Sequence, residues 1–323
     1  MLIMDGLEIK KLALGGQEFI KKPEITDYWD YYVGTIIYDI ALSDDENYLY
    51  IFYSTGIQKV DRKGKLIWTF DKVSGINLGT VTPDGYVVFA AEHSLYSIKD
   101  DGQSFSSFNV IGLGSDTNAT ALVSNSNSKV YVGLAGENGN SAIELYDLSN
   151  NGKEYLVTVD NPSGKITSLC LNSNSIIATS MNGMVFVFNL STKKSKSIYP
   201  FTQSGSNDTA AFASCSEDKI VCSSGTSSEL VLLDINLNVI KKASTKVRAF
   251  KSCLIINGYI YANSLNSSSS TYSVYKFDLD FNMLMCKIYS ADNVSKLVYS
   301  EKGDALYMGH DAYYVGKFAT YFA

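Results

Sequence analysis

The amino-acid sequence predicts an all-β protein: a seven-bladed β-propeller of four-stranded blades, preceded by a short N-terminal β-hairpin. Three observations carry this expectation. The composition suits half-buried pleated surface, with 23 tyrosines but only 4 prolines among 323 residues. A unit of four short, mostly apolar runs recurs seven times. The runs are separated by turns rich in Asp, Asn, Ser and Gly, which bend the backbone at little steric cost.

The elements follow in order. Residues 1–22 contain "LEIKKLALGGQEFIKK", where two runs of alternating apolar and polar residues flank Gly15-Gly16, the signature of a two-residue hairpin turn. Residues 23–34 form a linker that carries Tyr28, Trp29, Tyr31 and Tyr32. The propeller is expected over 35–323. Its clearest unit, "DIALSDDENYLYIFYSTGIQKVDRKGKLIWTF", reads as a strand before "SDDEN", then "YLYIFY", "GIQKVD" and "KLIWTF".

Six further segments repeat this pattern. The expected ends of the third strands fall at Asp61, Lys99, Asp147, Asn189, Asp234, Asp278 and Gly316, spaced 38 to 48 residues apart. A four-stranded propeller blade occupies about 40–50 residues. Second strands such as "YLYIFY" and "KVYVGL" are almost wholly apolar, as expected of sheets covered on both faces by neighbouring blades. The seventh repeat offers "SKLVYS", "ALYMGH" and "YYVGKF", then only "ATYFA". An outer strand lent by the N-terminus, "LEIKKLAL" or "QEFIKK", would complete it and remove an open edge. The alternative role for that hairpin is a tether to a larger assembly.

A formal net charge of −6 argues against nucleic-acid binding, which needs a basic face. The N-terminus lacks the basic and apolar regions of a usual signal peptide, and no run is long enough to span a membrane. Five cysteines, none in a CxxC spacing, read as buried free thiols. Cys215 and Cys222 flank one tight turn and are candidates for proximity across a hairpin. Two histidines, His93 and His310, occupy similar places between second and third strands and read as surface residues. The acids sit on turns, where they cap backbone rather than converge for catalysis. No metal, cofactor or catalytic residue is expected.

Loops supply the candidate sites. The turns between strands one and two and between three and four are short, while the connections on the opposite face vary in length and are rich in Ser, Asn and Gly. Candidates for that face are Asp116, Asn118, Glu137, Asn138, Asn207, Asp208 and Asn266, joined by Tyr28, Trp29, Tyr31 and Tyr32, whose rings would either cover an end of the propeller or anchor a partner. Candidates for attachment through the hairpin are Leu12, Leu14, Gly15, Gly16 and Phe19.

The repeat "GIQKVDRKGKLIWTF" resembles quinoprotein-like propellers, although only this repeat keeps the Trp, Trp68. The architecture is also similar to WD40-like propellers, without their signature: Trp29-Asp30 precedes the repeats and Gly309-His310 lies inside the last. "GLEIKKLALGGQEFIKK" resembles the hairpin that opens many tail and baseplate proteins of tailed bacteriophages of Gram-positive hosts. That resemblance implies a virion component assembled in the host cytoplasm, contacting other virion proteins or host-surface glycan. The other expectations are a bacterial cytoplasmic protein-interaction scaffold and a propeller enzyme acting on carbohydrate.

Overall fold

The computed structural model describes residues 3–4, 7–8, 11–14, 17–20, 29–99, 108–112, 117–136, 141–159, 165–202, 211–244, 250–266, 271–290, 294–310 and 313–319. They form seven four-stranded antiparallel sheets and two two-stranded ones near the N-terminus, with no helix among the described residues. Blade one runs Ile37–Leu42, Tyr48–Tyr53, Gly56–Asp61 and Leu66–Phe70, matching its sequence-predicted strands closely. Blades two to six begin at Ile76, Thr117, Ile166, Ala211 and Phe250, each a consecutive run of four strands. The first strand of every blade packs on that of the next, and blade seven returns to blade one, closing the ring.

The apolar second strands are buried as the ring requires: Tyr48–Tyr53, Ser175–Ser180 and Ala305–His310 are covered almost throughout. Seven apolar cores result, one at each junction between neighbouring blades. Outer strands such as Ser195–Ile198 and Val239–Ser244 remain mostly exposed. No blade could bury both faces alone, so each junction stabilises the two sheets that share it.

In blades one to six the residues that set the repeat length do end the third strand. Five of them hold the following turn. Asp61 Oδ1 accepts the Lys63 and Lys65 amides at 2.8 and 2.9 Å; Asp234 and Asp278 do the same for Asn236 and Asn238 and for Asp280 and Asn282. Asp147 and Asn189 repeat the arrangement. These side chains hold turns together, which accounts for their periodicity without chemistry. Gly316 breaks the pattern, falling inside the strand Tyr314–Ala319. Among the described residues blade seven has no consecutive outer strand, so there is no turn there to mark.

Its outer strand is Trp29–Tyr32, paired antiparallel with Tyr314–Lys317. The N-terminus does complete the seventh blade, but from the stretch read as a linker and not from 7–22. Among the described residues the two runs of the opening hairpin, Lys11–Leu14 and Gln17–Ile20, pair only with each other, with Leu12 opposite Phe19. "WDYY" follows an inward-outward pattern, with Trp29 and Tyr31 half-buried and Asp30 and Tyr32 exposed.

Trp29 then seals the junction between blades seven and one. Its Nε1 donates to the Arg62 carbonyl at 2.6 Å, and its ring lies 5.9 Å from that of Tyr307. Gly64, with φ of 78°, carries no side chain where a Cβ would come within 3.1 Å of the indole. On the same side Glu46 accepts Ser300 Oγ and the Lys302 amide at 2.8 and 2.9 Å, while Arg62 Nε donates to the Glu46 carbonyl. Burial pushes the Tyr307 phenol up to about 12.

Deleting residues 1–22 should leave the thermal midpoint unchanged, whereas deleting 1–34 should lower it sharply; Trp29→Ala should cost about 3 kcal/mol in chemical denaturation. Glu229 and Asp84 report on acid stability. Burial raises both carboxyls, but hydrogen bonds from Lys242 and Thr202, and from Ser128 and Thr82, outweigh it and leave both below the ordinary range. A depressed carboxyl stabilises the fold above its unfolded pKa and loses that contribution as pH falls through its folded one. Melting temperature should therefore hold from neutrality to about pH 5 and fall below about pH 4.

Candidate functional site

The two faces of the ring differ. On the face of the short turns, neighbouring blades are tied directly. Asp84 accepts the Ser128 amide at 2.8 Å, Ser173 Oγ donates to Glu217 at 2.5 Å, and Glu46 bridges blades one and seven. Deeper in the ring the first strands are tied as well. The Gly79 amide donates to Asp39 Oδ2, and Ser168, Ser214 and Ser252 hydroxyls accept the amides of Ala213, Ile255 and Leu297 in the next blade. Lys296 Nζ stands 3.4 Å from Asp39 Oδ1 and completes the link from blade seven to blade one.

The opposite face carries the connections that vary in length. At the junction of blades seven and one it presents an aromatic and aliphatic group: Tyr32, Ile36, Tyr38 and Tyr313 are all well exposed, Tyr32 to 61%. Ring closure assembles them. Tyr32 ends the closing strand, Ile36 and Tyr38 follow as the chain enters blade one, and the Tyr313 carbonyl accepts the Val33 amide at 2.7 Å. The ring of Tyr32 lies 5.1 Å from that of Tyr314.

Beneath this group sits a polar pair. His310 Nε2 lies 3.0 Å from Asp30 Oδ1, and the imidazole stacks on Tyr314 with centroids 5.7 Å apart. Asp30 pairs in register with Gly316, where an added Cβ would come within 2.8 Å of its carboxylate, so the missing side chain gives the acid room to reach the histidine. His310 is therefore buried and held, contrary to its reading as a surface residue; His93 is exposed. At the next junction, Lys72, Val73, Ser74, Ala91, Glu92 and Tyr96 line a shallow polar recess of about 220 Å³. Among the described residues no group of His, Cys, Asp or Glu is placed to hold a metal.

The predicted site residues are distributed unevenly. Of the four clustered aromatics, Trp29 and Tyr31 pack against the core between blades seven and one, Tyr32 is exposed, and Tyr28 lies outside the described residues. Asn118 is exposed in the first strand of blade three, and Asn266 ends the second strand of blade six. Asp116, Glu137, Asn138, Asn207 and Asp208 lie outside the described residues, as do Gly15 and Gly16 of the hairpin. Leu12, Leu14 and Phe19 are in its two strands. Sequence reasoning missed Ile36, Tyr38 and Tyr313. Tyr38 had a signal, being a large aromatic beside the Asp39 that begins the first repeat. Nothing in the sequence places Tyr313 beside residue 33.

No family model matches the chain, and no curated protein matches it. Solved structures do. The chain is similar to "Structure of U3-55K", with a TM-score of 0.72, 11% identity, and coverage of 92% of this chain and 100% of that one. It is also similar to "Crystal structure of RRP9 WD40 repeats", with a TM-score of 0.70, 11% identity, and coverage of 90% and 97%. The fold is a WD40-like seven-bladed propeller. At this identity the likeness concerns the fold alone, and it holds although the WD and GH dipeptides are out of place: Trp29-Asp30 lies in an outer strand and Gly309-His310 ends a second strand.

The two histidines give a clear contrast. His310→Gln should lower the melting temperature by about 3–6 °C, since a held buried side chain is replaced, while His93→Gln should leave it within about 1 °C.

Proposed function

We propose that the protein is a non-catalytic interaction scaffold that binds a protein partner through the face of the variable connections, centred on Tyr32, Ile36, Tyr38 and Tyr313. The observation that carries this reading is the exposure of these large side chains together on a closed, cross-tied ring. Exposed tyrosines supply contact area at low entropic cost, and a rigid support lowers the ordering needed on binding. The recess at the adjacent junction is shallow, which suits the edge of a protein surface better than an enclosed substrate.

A second reading rests on the hairpin. Among the described residues its strands pair with each other and join none of the seven sheets, which supports a role as a tether. An isolated two-stranded hairpin is marginal in water, so covering it with another protein would stabilise it. In that reading the chain is a tail or baseplate component that attaches through residues 1–22. A host-surface glycan then becomes an alternative ligand for the exposed face.

The first reading is tested by replacing Tyr32, Ile36, Tyr38 and Tyr313 together with serine. Binding to a purified partner should weaken at least tenfold by calorimetry, with the melting temperature kept. Val239→Ser with Ile240→Ser, on the outer strand of blade five, should leave affinity unchanged. Equal affinity for all three proteins would sink the assignment of this face, and turnover of a polysaccharide would sink the non-catalytic claim. Incorporation into phage particles that requires residues 1–22 would establish the second reading.

A further inference from the structure

The first strands of blades four and five are held in a defined register. Ser168 Oγ accepts the Ala213 amide at 3.0 Å, and Thr179 Oγ1 donates to the Ala211 carbonyl at 2.8 Å. Two residues beyond that tie, on each strand, stands a cysteine: Cys170 in blade four and Cys215 in blade five. Cys170 pairs across its sheet with Ile177, and Cys215 with Ile220. Both isoleucines belong to the core between these two blades, and both cysteines pack against it. Strand alternation thus turns the two thiols into one junction.

The other three cysteines stand apart from this pair. Cys222 belongs to the same core but has no exposed surface. Cys253 is buried and directs its thiol to the Phe212 and Val221 carbonyls, at 3.4 and 3.6 Å. Cys286 is exposed on the outer strand of blade six. Only Cys170 and Cys215 combine a cysteine neighbour across the blade junction with partly exposed positions.

We propose that Cys170 and Cys215 form an oxidation site, at which a peroxide converts the two thiols into a disulfide that staples blade four to blade five. One thiol loses its proton and the thiolate attacks the peroxide oxygen, breaking the O–O bond to give a sulfenic acid and a hydroxide that takes up that proton and leaves as water. The second sulfur then attacks the sulfenic sulfur, forming the S–S bond and releasing a second water. Two thiols and one hydrogen peroxide thus become one disulfide and two waters. The adjoining Cys215 thiol, with burial, holds the Cys170 thiol well above its ordinary range, so the reaction should be slower than at the exposed Cys286.

The sequence permits a direct test on the full-length folded protein. Cys286 is first blocked with N-ethylmaleimide, hydrogen peroxide is added, remaining thiols are alkylated after denaturation, and the chain is cut with trypsin. Cys170 then lies on the peptide Ile166–Lys193, Cys215 on Ser197–Lys219, Cys222 on Ile220–Lys241 and Cys253 on Ser252–Lys276. The expected result is a linked pair of the first two peptides, with Cys222 and Cys253 still reduced, and an upward shift of the melting temperature that dithiothreitol reverses. Cys170→Ser or Cys215→Ser should abolish the link and the shift, and Cys222→Ser should preserve both. Persistent free thiols, separate sulfinic acids, or links through Cys222 or Cys253 would overturn the proposal.

Discussion

The antiparallel pairing of Trp29–Tyr32 with Tyr314–Lys317 is the interaction on which the rest of the structure depends. Every blade buries its two faces against two neighbours, so an open ring would expose the core between blades seven and one. Four residues from the N-terminal side close it. Trp29 adds area and a hydrogen bond across the junction, and Glu46, Ser300 and Lys302 fasten the turns beside it. Closing so long a chain has an entropic cost that grows only slowly with length. A short strand with one large anchor can therefore offset it.

Closure also creates the candidate surface. The same four-residue strand turns Trp29 and Tyr31 inward and Asp30 and Tyr32 outward, so one alternation serves both stability and display. Asp30 reaches His310 over Gly316, and Tyr32 settles beside Tyr314. The opposite face is fastened by ties between neighbouring turns, and hydroxyls on first strands bond to the amides of the next blade. Exposed side chains on one face thus stand on a platform held from the other face and from within.

Much of the fold was legible because it is local. Asp61, Asp234 and Asp278 mark the ends of third strands since each carboxylate holds the turn that follows it, an interaction completed within five residues. The apolar runs of the second strands announced burial on both faces, and the spacing of the repeats announced the number of blades. The candidate surface was less legible. The aromatic stretch was singled out, but its division into an anchor, Trp29, and a displayed residue, Tyr32, depends on which edge of which sheet it joins.

The sequence by itself determined seven repeats, their strands and their turns, because neighbouring residues settle strand periodicity and turn chemistry. The tertiary structure alone decided which N-terminal segment completes the seventh blade: "LEIKKLAL", "QEFIKK" and "WDYY" all alternate well enough to form a strand. "WDYY" offers an indole that fits against Gly64 and an acid that meets His310 over Gly316, contacts spanning up to 280 residues. Likewise, Cys170 and Cys215 share a junction only because two first strands are set in register by Ser168. Pairings of that range are fixed by complementary packing between blades, which no local pattern records.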